Sequence, residues 1–428
     1  MLVILTTHPI QYQVPLWQAL ARDGRVPFEV WFLCDHAVRA THDPEFGRAF
    51  AWDLGQGSLE GYTHRFLPIN EKWSLHPSDF FGIRLRGALG PLFREKRVTA
   101  LWIQGWQKYA YWQAVAQAHR AGVEVWLRGE TNDLAPAGGV LKSWLKGVRL
   151  RALFARVDRF LCIGAANRRF YRKHGVAARK LFSAPYCVDN ARFAAQAAAL
   201  RSQRFEIRRH WGIADDARCV LFCGKFIPKK RPLDVVAAAK RLADDRTSAP
   251  ILLLFVGSGE LGADLRAATE VVFDAEASVS GPSLSSLNPQ LSTGSSRPKA
   301  SFAGFLNQIE ISRAYVAADV LVLPSDHGET WGLVVNEAMA SGLPCVVSDA
   351  VGCGEDLVVP VDTARRFPLG DAVALATALA KLSGDDEATA GLAETVARHD
   401  FSATITTLIA LSQRAEILVR VTKLIPGR

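Results

Sequence analysis

Long apolar runs are missing from the 428-residue sequence. Stretches such as Ile251 to Val256 fall far short of the roughly 20 residues that a membrane-spanning helix needs, so no transmembrane helix is expected. The first residues open into a strand-like Leu2-Val3-Ile4-Leu5, without the basic region, long apolar stretch and small-residue cleavage site of a secretory signal. Export is not expected. Paired cysteine motifs are missing too. The seven cysteines stand at 34, 162, 187, 219, 223, 345 and 353, with no Cys-x-x-Cys and no zinc-like spacing with histidine. Several lie in apolar strand-like runs, where a thiol serves as a small buried hydrophobe, and this fits a reducing cytoplasm.

What is present describes a large folded protein. Hydrophobic residues make up 49% and charged residues 22%, the balance of a globular chain and not of a disordered one. The length suits two or three domains. Charge is uneven: residues 1–200 carry a net +12, and the remainder a net −3. A basic face serves nucleic acid, an anionic membrane or phosphorylated substrates, and charge alone does not choose among them. Short apolar runs alternate with Ala-, Arg- and Leu-rich helical stretches, the pattern of a parallel sheet crossed by helices. Strands are predicted near 2–7, 28–34, 63–69, 99–104, 123–128, 159–163 and 180–185. The series restarts near 219–223, 252–256, 301–305, 320–323 and 344–348. The expected fold class is therefore α/β, with two doubly wound, Rossmann-like domains. They are placed at 1–195 and 205–400, followed by a helical tail over 401–428 that is able to cross back to the first domain. Residues 275–300, dominated by Ser, Pro, Gly, Asn and Gln, fit no element and are expected to form a disordered loop.

Open parallel sheets bind ligands beyond the carboxyl ends of their strands. The most informative stretch, residues 325–355, begins at such an end. It follows the strand Val320 to Leu323, passes through a loop containing Gly328, and enters a helix predicted from Gly332 to Gly342. Free amides at Gly332, Leu333 and Val334, reinforced by the helix dipole, offer a site for a diphosphate. Glu329 stands in the loop. Glu337 lies nearly two turns into the helix, and because side chains lean toward the amino end it is able to reach back to a sugar hydroxyl. Two flexible ammonium groups, Lys225 and Lys230, stand after another strand end and offer charge where a phosphate leaves.

These residues form a recognisable set. Glu329-Thr-Trp-Gly followed by Glu337-Ala-Met-Ala-Ser-Gly-Leu-Pro resembles the paired-glutamate signature of the large retaining glycosyltransferase family called group one, which has the GT-B fold. Gly224-Lys225 with Lys230 resembles that family's Gly-Arg-Leu strand end and later Lys, and Val256 to Gly259 resembles its Val-Gly-x-Gly turn. Phe302 to Phe305, Pro324-Ser325 and Gly352 to Glu355 match further segments in order and spacing. Pro185 to Asp189, followed by Phe193, resembles the segment that ends the family's first domain. The resemblance implies an active site in the cleft between two domains and a nucleotide-diphosphate-sugar donor held by the second. Lys225, Lys230 and Glu329 are implied as catalytic. Glu337, Gly332, Leu333, Val334, Gly224, Gly304 and Phe305 are implied as donor-binding, with Glu337 on the ribose and the Phe302 to Phe305 loop near the base. Retention is attributed to same-face substitution assisted by the leaving phosphate, which needs no protein nucleophile. The Asp-x-Asp that often holds a cation in other glycosyltransferases does not occur, so no metal and no cofactor is expected.

Departures from the family pattern are visible. Lys225 replaces an arginine and loses its bidentate fork. Trp331 replaces the common phenylalanine and is expected to add bulk beside the sugar. His8, Gln11, Arg128 and Glu130 follow strand ends of the first domain and are assigned to the acceptor or sugar side. The implied acceptor is a glycan or lipid-linked, and cell-envelope or exopolysaccharide biosynthesis is the expected setting. Residues 140–160 interleave Trp144, Leu145, Val148, Leu150 and Phe154 with Lys142, Lys146, Arg149, Arg151 and Arg156, a composition suited either to an anionic membrane surface or to a core-facing helix with a charged outer face, and residues 80–97 have a similar character. A cytoplasmic location follows, peripheral on the inner face of the membrane if that surface is used. Alternatives are a nucleotide-sugar epimerase on the same scaffold and a nucleic-acid binder, although nothing resembles a nucleic-acid module and no nucleic-acid partner is expected.

Overall fold

The structure is a computed structural model of the whole chain. It describes all residues except 37–40, 44–47, 51–54, 77, 136–139, 244–249, 278–296, 383–388, 390 and 425–428; side chains at 41–43, 48–50, 55–56, 140–143, 363 and 416–424 are not described either. Most of the loop expected over 275–300 lies outside the described residues.

Two compact units are built. The first comprises 1–41, 54–188 and 400–428, and the second 42–53 and 189–399. The division expected over 195–205 therefore falls at Val188/Asp189. Asp189 caps the helix Asn190–Leu200 by accepting the Arg192 amide, the Asn190 side chain donates to the Val396 and His399 carbonyls, and Phe193 packs edge-on to Tyr315. This helix is thus tied to the second unit from its first turn.

The strands of the first half are β1 (Leu2–Thr6), β2 (Phe28–Phe32), the small pair β3 (Thr41–Asp43) and β4 (Arg48–Phe50), β5 (His64–Phe66), β6 (Ala100–Gln104), β7 (Glu124–Arg128), β8 (Arg159–Cys162) and β9 (Leu181–Ser183). Seven of them form one sheet in the order β5-β2-β1-β6-β7-β8-β9, every neighbouring pair parallel. Strands buried on both faces need apolar residues at every position, and β1 is buried throughout. One face packs Val3, Leu5, Trp31 and Ile103 against Phe93 and Tyr111. The other packs Ile4, Phe32, Trp102 and Trp126 against Phe401, Ile405, Leu408 and Leu411. The last helix, Phe401–Leu424, is in this way part of the first unit's core.

The second unit repeats the scheme with β10 (Arg218–Cys223), β11 (Ile251–Val256), β12 (Glu270–Asp274), β13 (Lys299–Gly304), β14 (Val320–Leu323), β15 (Cys345–Ser348) and β16 (Arg366–Phe367). Their order is β12-β13-β11-β10-β14-β15-β16, all parallel. The strands β12 and β16 were not expected. They form the two edges; β16 is two residues long and β12 is only half-buried, so neither carries the dense apolar signal of a central strand. No described helix is long and apolar enough to cross a membrane.

Leu408 is fully buried against the first sheet. Leu408→Ala should cost about 2–5 kcal/mol of stability, measured by urea unfolding. An unchanged midpoint would mean that the last helix is not part of this core.

Candidate active site

In the second sheet the chain runs outward from β10 to β11 on one side and returns to place β14 on the other. The loops leaving β10 and β14 therefore diverge, which opens the crevice where doubly wound folds place ligands. Tight backbone geometry surrounds it. A Cβ at Gly257, which has φ of 129°, would lie 2.1 Å from the Gly224 carbonyl oxygen, so only glycine lets the ends of β10 and β11 approach in this way. The Gly257 amide donates to the Gly304 carbonyl at 2.8 Å and joins the end of β13 to the same edge.

Lys230 and Glu329 lie together at this crevice. Lys230 closes the short turn Pro228–Lys230, and its ammonium forms an ion pair with Glu329 Oε2 across the diverging loops. Both side chains are mostly buried, so this pair is less screened than a surface one. The loop carrying Glu329 is held firmly. Asp326 N–H donates to the Lys229 carbonyl at 2.8 Å, Glu329 N–H to the Asp326 carbonyl at 2.9 Å, and Gly328 N–H to Asp326 Oδ1 at 2.7 Å. Gly352 and Cys353 amides donate to the Glu329 and Trp331 carbonyls at 3.3 and 3.0 Å, which ties in the segment after β15. Lys225 is half-buried just beyond Gly224.

The helix expected from Gly332 runs from Leu333 to Ala340. Gly332 turns the chain with φ of 105°, and a Cβ there would lie 2.8 Å from Leu323 Cδ2. Val335 N–H donates back to the Gly332 carbonyl at 2.9 Å. Leu333 and Val334 are half-buried, and their amides precede the first that an intrahelical carbonyl accepts. Trp331 does not stand in an open pocket: it is buried, and its indole N–H donates to Asn336 Oδ1 at 2.8 Å. Phe302 is likewise a core residue, stacked on Phe255 with centroids 5.2 Å apart, while Phe305 beyond Gly304 is half-buried.

Glu337 is 5% exposed. The Tyr315 hydroxyl donates to its Oε2 at 2.6 Å, and its buried Oε1 has no hydrogen-bond partner among the described residues. Burial pushes the carboxyl up to about 7, opposed by the Tyr315 hydrogen bond and the Arg192 charge. A buried acceptor of this kind is uncommon in folded proteins. Tyr315 and Arg192 went unnoticed in the sequence, because a tyrosine on a short apolar helix and an arginine in an Ala-rich one look like packing and surface. Among the described residues no group of three or more His, Cys, Asp or Glu side chains is placed to hold a metal ion.

In the first unit, His8 follows β1 within hydrogen-bonding distance of Thr7 Oγ1, 3.0 Å away, and edge-on to His36 at 5.1 Å. Burial, with the His36 charge, lowers it to about 4, so it is neutral at physiological pH. Gln11 is buried with an unpartnered Oε1. Arg128, 3% exposed at the end of β7, lays its guanidinium over the Tyr186 ring at 4.5 Å, and its Nε has no partner among the described residues. Glu130 is half-buried, and burial and the Glu130 charge hold the Tyr186 phenol well above its usual range. The structure thus brings Arg128, Glu130 and Tyr186 together and sets His8 beside His36. Lys108, which the sequence did not single out, follows β6 at the equivalent crevice, but its ammonium is spent on the His76 and Asp79 carbonyls at 2.7 and 2.8 Å.

Two all-parallel seven-stranded units of this order define the GT-B class of fold. The solved structure of HepE from Anabaena, determined in complex with UDP and glucose, superposes with a TM-score of 0.59 at 16% identity, covering 98% of this chain and 99% of that one. More particularly, residues 203–399 match the family model described as Glycosyl transferases group 1. A D-inositol 3-phosphate glycosyltransferase of Geodermatophilus obscurus is 33% identical over 236 residues, 53% of this chain and 46% of the relative. A GDP-mannose-dependent alpha-mannosyltransferase of Mycobacterium tuberculosis is 30% identical over 184 residues, 43% of this chain and 37% of the relative. The matched stretches span less than half of each relative's length.

The Glu337 carboxyl gives a signed pH dependence. Its folded value, about 7, stands above the ordinary 4.5, so the native state keeps a proton that the unfolded chain gives up between those values. Its contribution is most favourable below pH 4.5 and declines as pH rises to about 7. Glu337→Gln should therefore gain on the wild type in urea midpoint across that window. A constant difference from pH 4 to 8 would place the carboxyl at an ordinary value.

Proposed function

We propose that this protein is a group-one glycosyltransferase that moves a sugar from a nucleotide-diphosphate donor to an acceptor hydroxyl with retention of anomeric configuration. The observation that carries this reading is the convergence at one crevice of the Lys230–Glu329 pair, the opening of the 333–340 helix and the unpartnered oxygen of buried Glu337. Each part suits a different piece of the donor. The Leu333 and Val334 amides, with Gly224, Gly304 and Phe305 lining the strand ends, receive the phosphates and base. Glu337, once ionised, accepts two ribose hydroxyls. Glu329 contacts the donor sugar and holds Lys230 in reach of the diphosphate.

In the reaction the bond from the anomeric carbon to the phosphate oxygen breaks, and one to the acceptor oxygen forms on the same face. The acceptor proton passes to the departing phosphate. Lys225 and Lys230 stabilise the charge that develops on the leaving group, so no cation is needed. His8, Gln11, Arg128 and Glu130 serve the acceptor or the donor sugar. The acceptor is a glycan or a lipid-linked glycan, and the setting is cell-envelope or exopolysaccharide biosynthesis. The two curated relatives named above are transferases, which favours transfer over epimerisation on the same scaffold.

A thermal-shift panel of uridine, guanosine and adenosine diphosphate sugars should identify one base that raises the melting temperature. With that donor, Lys230→Gln should lower kcat by about a hundredfold or more. Glu329→Gln should depress turnover at unchanged melting temperature, and Glu337→Gln should chiefly weaken nucleotide binding. Wild-type affinity should rise with pH through about 7 and lose that dependence in Glu337→Gln. Full activity in all three variants, or sugar conversion without acceptor, would overturn the assignment.

A further inference from the structure

The first unit carries a surface that donor chemistry does not use. The helix Val140–Phe154 is apolar on two sides. Leu150, Leu153 and Phe154 enter the core beneath it. On the opposite side Trp144, Leu145 and Val148 are 60%, 50% and 43% exposed. These three recur at spacings of three and four residues and so share one stripe. A helix that needed only to cover the core would carry polar residues there.

A second element extends the stripe. Phe81, 53% exposed, packs against Phe80, and the Arg149 guanidinium lies over the Phe80 ring at 5.0 Å and the Trp112 ring at 5.9 Å. Arg84 stacks over Phe81 at 4.9 Å. The apolar side chains of both segments are therefore joined by cations, and Lys146, Arg149, Arg151, Arg84 and Arg86 are exposed around them. Neither 80–94 nor 140–157 contains an aspartate or glutamate. Side chains 140–143 are not described, so Lys142 enters only as sequence.

We propose that this face docks on the surface of an anionic lipid bilayer, with Trp144, Leu145, Val148 and Phe81 entering the headgroup boundary and the surrounding cations meeting lipid phosphates. Exposed aliphatic side chains beside tryptophan gain by leaving water at an interface. Long basic side chains keep their charge at headgroup level while their stems cover apolar surface. A nucleic-acid surface would use the cations but would leave Leu145 and Val148 in water. The inference does not rest on the transferase reading, because nucleotide thermal shifts report on that separately.

The test is sedimentation of the full chain with vesicles of phosphatidylcholine alone and of phosphatidylcholine mixed with phosphatidylglycerol. Wild type should bind the mixed vesicles, bind phosphatidylcholine far less, and be released by salt. Lys146→Gln with Arg151→Gln should weaken partitioning by about fivefold per charge removed. Trp144→Ser with Leu145→Ser should weaken it by at least as much at low salt, while melting temperature and nucleotide-induced shift stay at wild-type values. Equal partitioning of both double variants and wild type would overturn the proposal. So would tighter retention on single-stranded DNA or RNA than on the mixed vesicles.

Discussion

Burying a carboxylate without a cation in contact is the constraint around which the second unit is arranged. Glu337 stands under the crevice between β10 and β14 with only a phenol hydroxyl on one oxygen and Arg192 acting from a distance. A site built purely for stability would place an apolar residue there, since an unpaired buried acid is costly. The strand ends and loop around it are closely tied. Gly224, Gly257 and Gly304 bring three strand ends together, and the Asp326 to Glu329 loop is pinned to Lys229 and to the segment after β15.

The same logic separates the roles of the two glutamates. Glu329 is paired with Lys230 across the diverging loops. Glu337 is poised between its protonated and ionised forms. Two acids eight residues apart thus have different surroundings: one meets an ammonium, the other is buried beside a phenol. In the first unit, Arg128 is a buried cation whose guanidinium lies over an aromatic face.

Helical termini and glycines explain why the elements end where they do. Asp189 caps its helix by accepting the Arg192 amide, and Asp371 caps the helix Ala372–Lys381 by accepting the Val373 and Ala374 amides. The 333–340 helix lacks such a cap and opens on Gly332. No side chain caps its first amides, which costs local helix stability.

Much of this was legible in the order of residues. Apolar runs with period suited to buried strands located nearly every central strand of both sheets, because a strand covered on both faces must be apolar at each position. Glycine, proline and acid spacing located the loop and helix of 325–342, since those residue types are demanded by backbone geometry and need no distant partner. The edge strands β12 and β16, the passage of the 190–200 helix into the second unit, the burial of Trp331 and Phe302, and the Tyr315 hydroxyl on Glu337 were decided only by the tertiary structure. Local sequence records what a residue does to its own backbone; which side chain it meets from more than twenty residues away depends on how sheets and helices stack, and that information is carried by the packed core as a whole.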